Sequence, residues 1–160
     1  MTVSIADLME RLRKGPELVE EAARGAAPSE LDYSPGPGKW SARQILAHLA
    51  DSEMVGADRF RRVVAENNPT IMAYDEKAWA ANLDYHRRDP QKDLTLFRLA
   101  RNSTYELLHG LPESAFDRKG NHSERGPVSL RQFLEIYASH AEAHSRQIRA
   151  ARDGYRQSHG

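Results

Sequence analysis

Tyr137-Ala138-Ser139-His140-Ala141-Glu142-Ala143-His144-Ser145-Arg146-Gln147-Ile148 is the stretch from which the fold can be read. Tyr137, His140, His144 and Ile148 recur at steps of three and four, the spacing of one face of an α-helix. The stripe continues backward through Leu134, Phe133 and Leu130 to Ser129-Leu130-Arg131-Gln132, a capping box in which Gln132 can reach back to the Ser129 backbone. A long helix to about Arg152 follows. Two imidazoles one turn apart on its inward face can offer two nitrogens to one divalent metal. The metalloprotease helix needs Glu directly after the first His, and Ala141 stands there instead. Glu142 lies about 200° around the helix from His140, on another face.

Working outward, Ser41-Ala42-Arg43-Gln44 is a second capping box. It opens a helix to about Asn67 whose stripe is Ile45, His48, Leu49, Ser52, Val55, Arg59 and Val63, so His48 also faces inward. Ser4 caps a first helix carrying Ile5, Leu8, Met9 and Leu12. Gly15-Pro16 interrupts it and predicts a kink or a split before Leu18, Val19 and Ala22; Gly25 ends it. Asp89-Pro90 starts another helix, with Leu94, Phe97, Ala100 or Arg101, Thr104, Leu107 and Leu108 inward as far as Gly110.

The connections are long. Residues 26–40, with Pro28 and Pro35-Gly36-Pro37-Gly38, read as a loop that ends on Trp40 as an anchor. Residues 70–89 carry Met72, Tyr74, Trp79 and Tyr85, and Asp75 caps a short helix through Ala81. So many aromatics predict a connection packed over a pocket mouth. Residues 117–127 read as a polar loop, and the tail after Gly154 as frayed. No segment sustains period-two alternation. The expectation is an all-α four-helix bundle forming one domain over residues 1–154, with a polar tail at 155–160.

Composition narrows the function. Lys plus Arg equals Asp plus Glu at 23 each, so no bulk field favours nucleic acid or an anionic membrane. With no cysteine, disulfides, cysteine–zinc sites and a protein thiol nucleophile are excluded. No apolar run is long enough to span a membrane, and the N-terminus lacks a signal-peptide core. A cytoplasmic protein is expected.

If the His48 helix neighbours the last one, His48, His140 and His144 converge in the core. Three histidines form an open site that leaves a position for water or substrate. Zinc or nickel is favoured, and iron or manganese accepts the same ligands. The plainer reading of one inward histidine is a hydrogen-bonded core residue, but three unpaired buried imidazoles are costly without a metal or partners. Glu106-Leu107-Leu108-His109 is a single copy of the di-iron Glu-x-x-His pattern, and no second copy follows. His109 reads as a surface residue at a helix C-terminus, His86 as solvated, and His159 as part of the tail. His122 reads either as exposed loop or as part of a lid. Ser52, Arg59 and Tyr137 are candidates for a substrate pocket. Arg59 either snorkels to the bundle end or meets a substrate carboxylate. Asp51, one turn after His48, is either an exposed helix residue or an acceptor that orients an imidazole.

Gly38-Lys39-Trp40-Ser41 followed by Ile45-Leu46-Ala47-His48-Leu49-Ala50-Asp51-Ser52-Glu53 resembles the first motif of the DinB-like superfamily. Tyr74-Asp75-Glu76, Trp79-Ala80-Ala81-Asn82 with Tyr85, Gly126-Pro127-Val128-Ser129-Leu130 and His140-x-x-x-His144 match in order, over roughly residues 30–150. The family includes bacillithiol S-transferase-like proteins once described as metal-dependent hydrolases. The resemblance implies a four-helix bundle with a long crossover, a homodimer, and one divalent metal on His48, His140 and His144. It also implies a low-molecular-weight thiol cosubstrate. The expected activity is thiol S-transfer. The alternatives are hydrolysis of a small ester or amide at the same metal, for which no general base is evident, and a non-catalytic bundle that binds metal or ligand.

Overall fold

A computed structural model describes residues 3–160. Four long helices form the bundle: α1 (Ile5–Ala23), α3 (Ala42–Ala65), α5 (Pro90–His109) and α6 (Leu130–His159). Two short ones, α2 (Pro28–Asp32) and α4 (Glu76–Asn82), lie in the connections. The expected caps form: both capping boxes close, and Ser4, Asp75 and Asp89 accept from the first-turn N–H groups of α1, α4 and α5. The four helices form a ring in which α1 packs on α6 and α5, and α3 packs on α5 and α6. Helices consecutive in the bundle, α1 with α3 and α5 with α6, therefore sit diagonally, which is why their connections are long.

Of the kink or split expected at Gly15-Pro16, the split does not occur: α1 is one continuous helix, and both residues are buried inside it. Pro16 has no N–H to give the Leu12 carbonyl four residues back. The Arg101 guanidinium supplies the missing donor, Nη1 to Leu12 O at 3.3 Å. Gly15 makes room for it, since a Cβ there would stand 2.5 Å from Arg101 Nη1. Of the two inward candidates on α5, Arg101 is thus the buried one, fully so. It also forks onto Glu53 of α3 at 2.6 and 2.8 Å, and donates to the Tyr137 carbonyl of α6 at 3.1 Å. A single side chain joins all four helices at the centre of the core.

Three further differences from the sequence reading have local causes. Pro28 at the first turn starts α2 inside the stretch read as loop, and Glu30 there takes the Arg152 guanidinium at 2.9 Å. Residues 117–127 are not a plain loop. Strands β2 (Lys119–His122) and β3 (Gly126–Ser129) pair antiparallel, and β1 (Thr70–Ile71) joins β2 in parallel. The four-residue strands are too short to show period-two alternation in the sequence. The sheet fastens the crossover from α5 to α6 onto the end of α3. Finally, α6 passes Gly154 and runs to His159, because Tyr155 docks on α2 and Tyr33, with its hydroxyl 2.9 Å from Ser29 and its ring 5.7 Å from that of Tyr33. No helix among the described residues is long and apolar enough to cross a membrane.

Gly56 sets how closely α3 approaches α6. A Cβ at this position would run into the ring of Tyr137. In an open helix Gly→Ala gains about 1 kcal/mol from propensity, but forcing a methyl into a packed core costs about 1–3 kcal/mol. Gly56→Ala is therefore expected to lower the urea midpoint at unchanged slope, rather than raise it as helix propensity alone would.

Candidate metal centre

The stripe on α3 and the stripe on α6 face each other across Tyr137 and Gly56, and this brings the three histidines together. His48 Nε2 and His144 Nε2 each lie 3.0 Å from His140 Nε2. One ligand atom from each residue falls within 4.8 Å of the others, a grouping that can hold a metal ion. His48 is fully buried, and its ring lies against that of Trp40 at 5.0 Å, so the expected anchor also walls the site. His140 and His144 are half-buried. His144 borders an open cleft of about 840 Å³, together with Trp40, Glu76, Lys77 and Gln147.

The donor set fits a cation. Gln147 Oε1, 2.6 Å from His144 Nδ1, accepts its proton and leaves the Nε2 lone pair free. Ser52 Oγ, 3.3 Å from His140 Nδ1, can accept in the same way. With no cation, His140 Nε2 faces two nitrogens and can carry one proton at most, and His48 Nδ1 is buried with no partner. His48, His140 and His144 would hold a divalent cation through these nitrogens, which would remove the conflict.

Burial holds all three imidazoles in the neutral, ligating form. His48 is pushed down to about 3 by desolvation and then by the charge of His144. His140 is pushed down to about 2 by desolvation, then by His144 and His48. His144 is lowered by desolvation and partly restored by Gln147. Below pH 6.5, the ordinary imidazole value, the unfolded chain binds protons that the folded chain refuses, so stability falls with falling pH. The loss is about 1.4 kcal/mol per pH unit for each imidazole that stays neutral. Asp93, raised by burial, acts in the opposite sense as it protonates, and one carboxyl offsets only part of the loss. Urea melts of chelated protein at pH 7 and pH 5.5 are expected to show this drop.

Of the other predicted residues, Ser52 sits behind His140 rather than in open cleft. Arg59 does not snorkel into solvent: it donates to Tyr137 Oη at 3.3 Å and to the Met72 carbonyl at 2.9 Å, and lies over the Tyr74 ring. Tyr137 is buried, its hydroxyl pushed up to about 12 by desolvation. Asp51 orients no imidazole, and it is not exposed. Its carboxylate is drawn off the histidines by the Tyr85 hydroxyl at 2.8 Å and Arg88 at 2.7 Å. The residues that do orient the imidazoles are Ser52 and Gln147, and the i+3 spacing of Gln147 from His144 was available as a signal. Glu142 pairs with Arg11, away from the site. His109 stacks on Tyr105 and is exposed, as is His86, while His159 stacks on Tyr155. His122 is buried, which rules out the exposed-loop reading.

"Putative metal-dependent hydrolase OB0782" of Oceanobacillus iheyensis is 33% identical over 81% of this chain and 74% of its own length. YfiT of Bacillus subtilis, which carries the same designation, is 32% identical over 83% of this chain and 75% of its own. Its solved structure, described as having an unusual four-helix bundle topology, superposes with a TM-score of 0.87 over 94% of this chain and 88% of that one. A mycothiol-dependent maleylpyruvate isomerase shares the fold with a TM-score of 0.73 at 13% identity, over 92% of this chain and 63% of that one. The DinB superfamily model matches residues 11–148, and the chain belongs to that superfamily.

Proposed function

We propose that this protein is a metal-dependent enzyme that activates a low-molecular-weight thiol for transfer to an electrophile, with His48, His140 and His144 as the metal ligands. The observation that carries the reading is the convergence of three Nε2 atoms at the edge of an open cleft of about 840 Å³. A divalent cation in this setting supplies Lewis acidity that makes a thiol or water ionise near neutral pH. The chain does the rest. Gln147 fixes the tautomer of His144, Ser52 backs His140, and Trp40 keeps water from His48. Lys39 and Lys77 line the cleft and favour an anionic group on the incoming molecule. With no cysteine in the chain, any thiol must arrive as a cosubstrate.

A second reading, hydrolysis of a small ester or amide, gains from Glu76. It is the one carboxylate among the described residues lining that cleft, and it forms no ion pair there. Glu76 is the candidate general base that the helix stripes lacked. The deciding experiment loads the protein with zinc or nickel. It then compares conjugation of an electrophile by a panel of small thiols with turnover of a generic ester, using His48→Ala as control. Thiol conjugation lost in the variant supports transfer. Ester turnover lost in both His48→Ala and Glu76→Gln, without conjugation, overturns it in favour of hydrolysis.

A further inference from the structure

His122 is the one histidine buried away from the three-imidazole site, and neither reading above uses it. The β2–β3 hairpin turns it inward, where it is 6% exposed. Its Nδ1 accepts the backbone N–H of Glu124 at 3.2 Å, so the neutral ring carries its proton on Nε2. That Nε2–H meets no protein acceptor among the described residues and is not sealed off from solvent. It belongs to a cavity of about 110 Å³ whose walls include Arg59, Tyr74, Arg125, Phe133 and Ile136. Arg125 has no ion-pair partner among the described residues. Both arginines press on His122: its pKa is lowered first by burial, then by Arg59 and Arg125. The inner wall thus brings together the Arg59 guanidinium and the His122 imidazole N–H beside Phe133 and Ile136, while Arg125 is exposed and adds its charge from the rim. Two carboxylates, Glu76 and Glu124, border the cavity and are exposed, which places them at the rim.

We propose that this cavity binds the carboxylate of a small molecule. Its volume admits a group of that size and little more. The donors are arranged for an oxyanion, and guanidinium groups suit a planar carboxylate. The acidic rim disfavours a second negative charge, so a monoanion is selected over a phosphate dianion. Two contacts place the cavity near the metal centre. Glu76 lines both it and the cleft that holds His144, and Arg59 donates to Tyr137, one turn before His140. In the extension that rests on the enzymatic reading, the electrophile carries a carboxylate here while its reactive carbon reaches the metal cleft.

The test uses sodium acetate, titrated at constant ionic strength and followed through the side-chain NMR resonances of His122 and Arg59. Both the metal-loaded and the chelated protein are read. Saturable shifts in both forms are expected. Arg59→Gln should weaken acetate about 10–100-fold, the worth of a hydrogen bond to a charged group. Arg125→Gln, at an exposed position that leaves the fold alone, should weaken it by up to about fivefold. Phosphate should bind less tightly than acetate. Absence of saturable shifts, shifts that vanish on chelation, tighter binding of phosphate, or affinity unchanged in both variants would each overturn the proposal. Because chelated protein is measured, loss of the metal-dependent activity alone leaves this result standing, and the converse also holds.

Discussion

Glu53→Ala is expected to cost about 3–5 kcal/mol of folding stability, the loss seen when one partner of a buried ion pair is removed. Glu53 and Arg101 are both 0% exposed and meet through two hydrogen bonds. Without the carboxylate, the guanidinium cannot reach water, because Leu12, Tyr137 and Phe97 hold it in place. Replacing both residues with methionine should recover much of the loss, since no charge is then left buried. It will not recover all of it, because the Leu12 carbonyl freed by Pro16 loses its donor. Urea denaturation of the two variants and the parent checks both statements. A Glu53→Ala midpoint equal to that of the parent would remove Arg101 from its place at the centre of the fold.

The second large effect concerns the metal. Zinc that binds the folded but not the unfolded chain stabilises it by mass action, about 2.7 kcal/mol when free zinc is a hundred times its dissociation constant. His140 stands between the other two imidazoles, 3.0 Å from each, so it is the ligand whose loss opens the cluster most. His140→Ala is expected to remove the zinc-dependent rise in Tm and the zinc recovered after dialysis. The metal-free protein should still fold. A variant whose Tm rises with zinc as much as the parent's would assign the metal elsewhere.

The long helices were legible because each carries its own start signal: Ser4, Ser41, Asp89 and Ser129 are all N-caps in the structure. The three-histidine cluster was legible for a related reason, as stripe positions fix which side chains face a neighbouring helix. What escaped the reading depends on partners distant in sequence. Arg101 and Glu53 are charged residues in the core, made tolerable only by each other. Asp51 is buried through Tyr85 and Arg88, more than thirty positions away. The β2 strand Lys119–His122 has little intrinsic strand character and is held by its pairing with β1 and β3. Gly15-Pro16 does not split α1 because the donor that replaces the missing N–H lies on α5.

The ring order of the helices also bears on synthesis. Because α1 packs on α6 and α5, α1 waits for α6 to be made before its apolar stripe is fully covered. At ribosomal speeds of roughly 5–20 residues per second, Leu8, Leu12 and Val19 stay unshielded for on the order of ten seconds. His48 on α3 emerges well before His140 and His144 on α6. A cation held by these three residues would therefore have no complete set of imidazoles to gather until α6 has been made. It would act as a late lock on an assembled bundle, not as the template around which the chain first collapses.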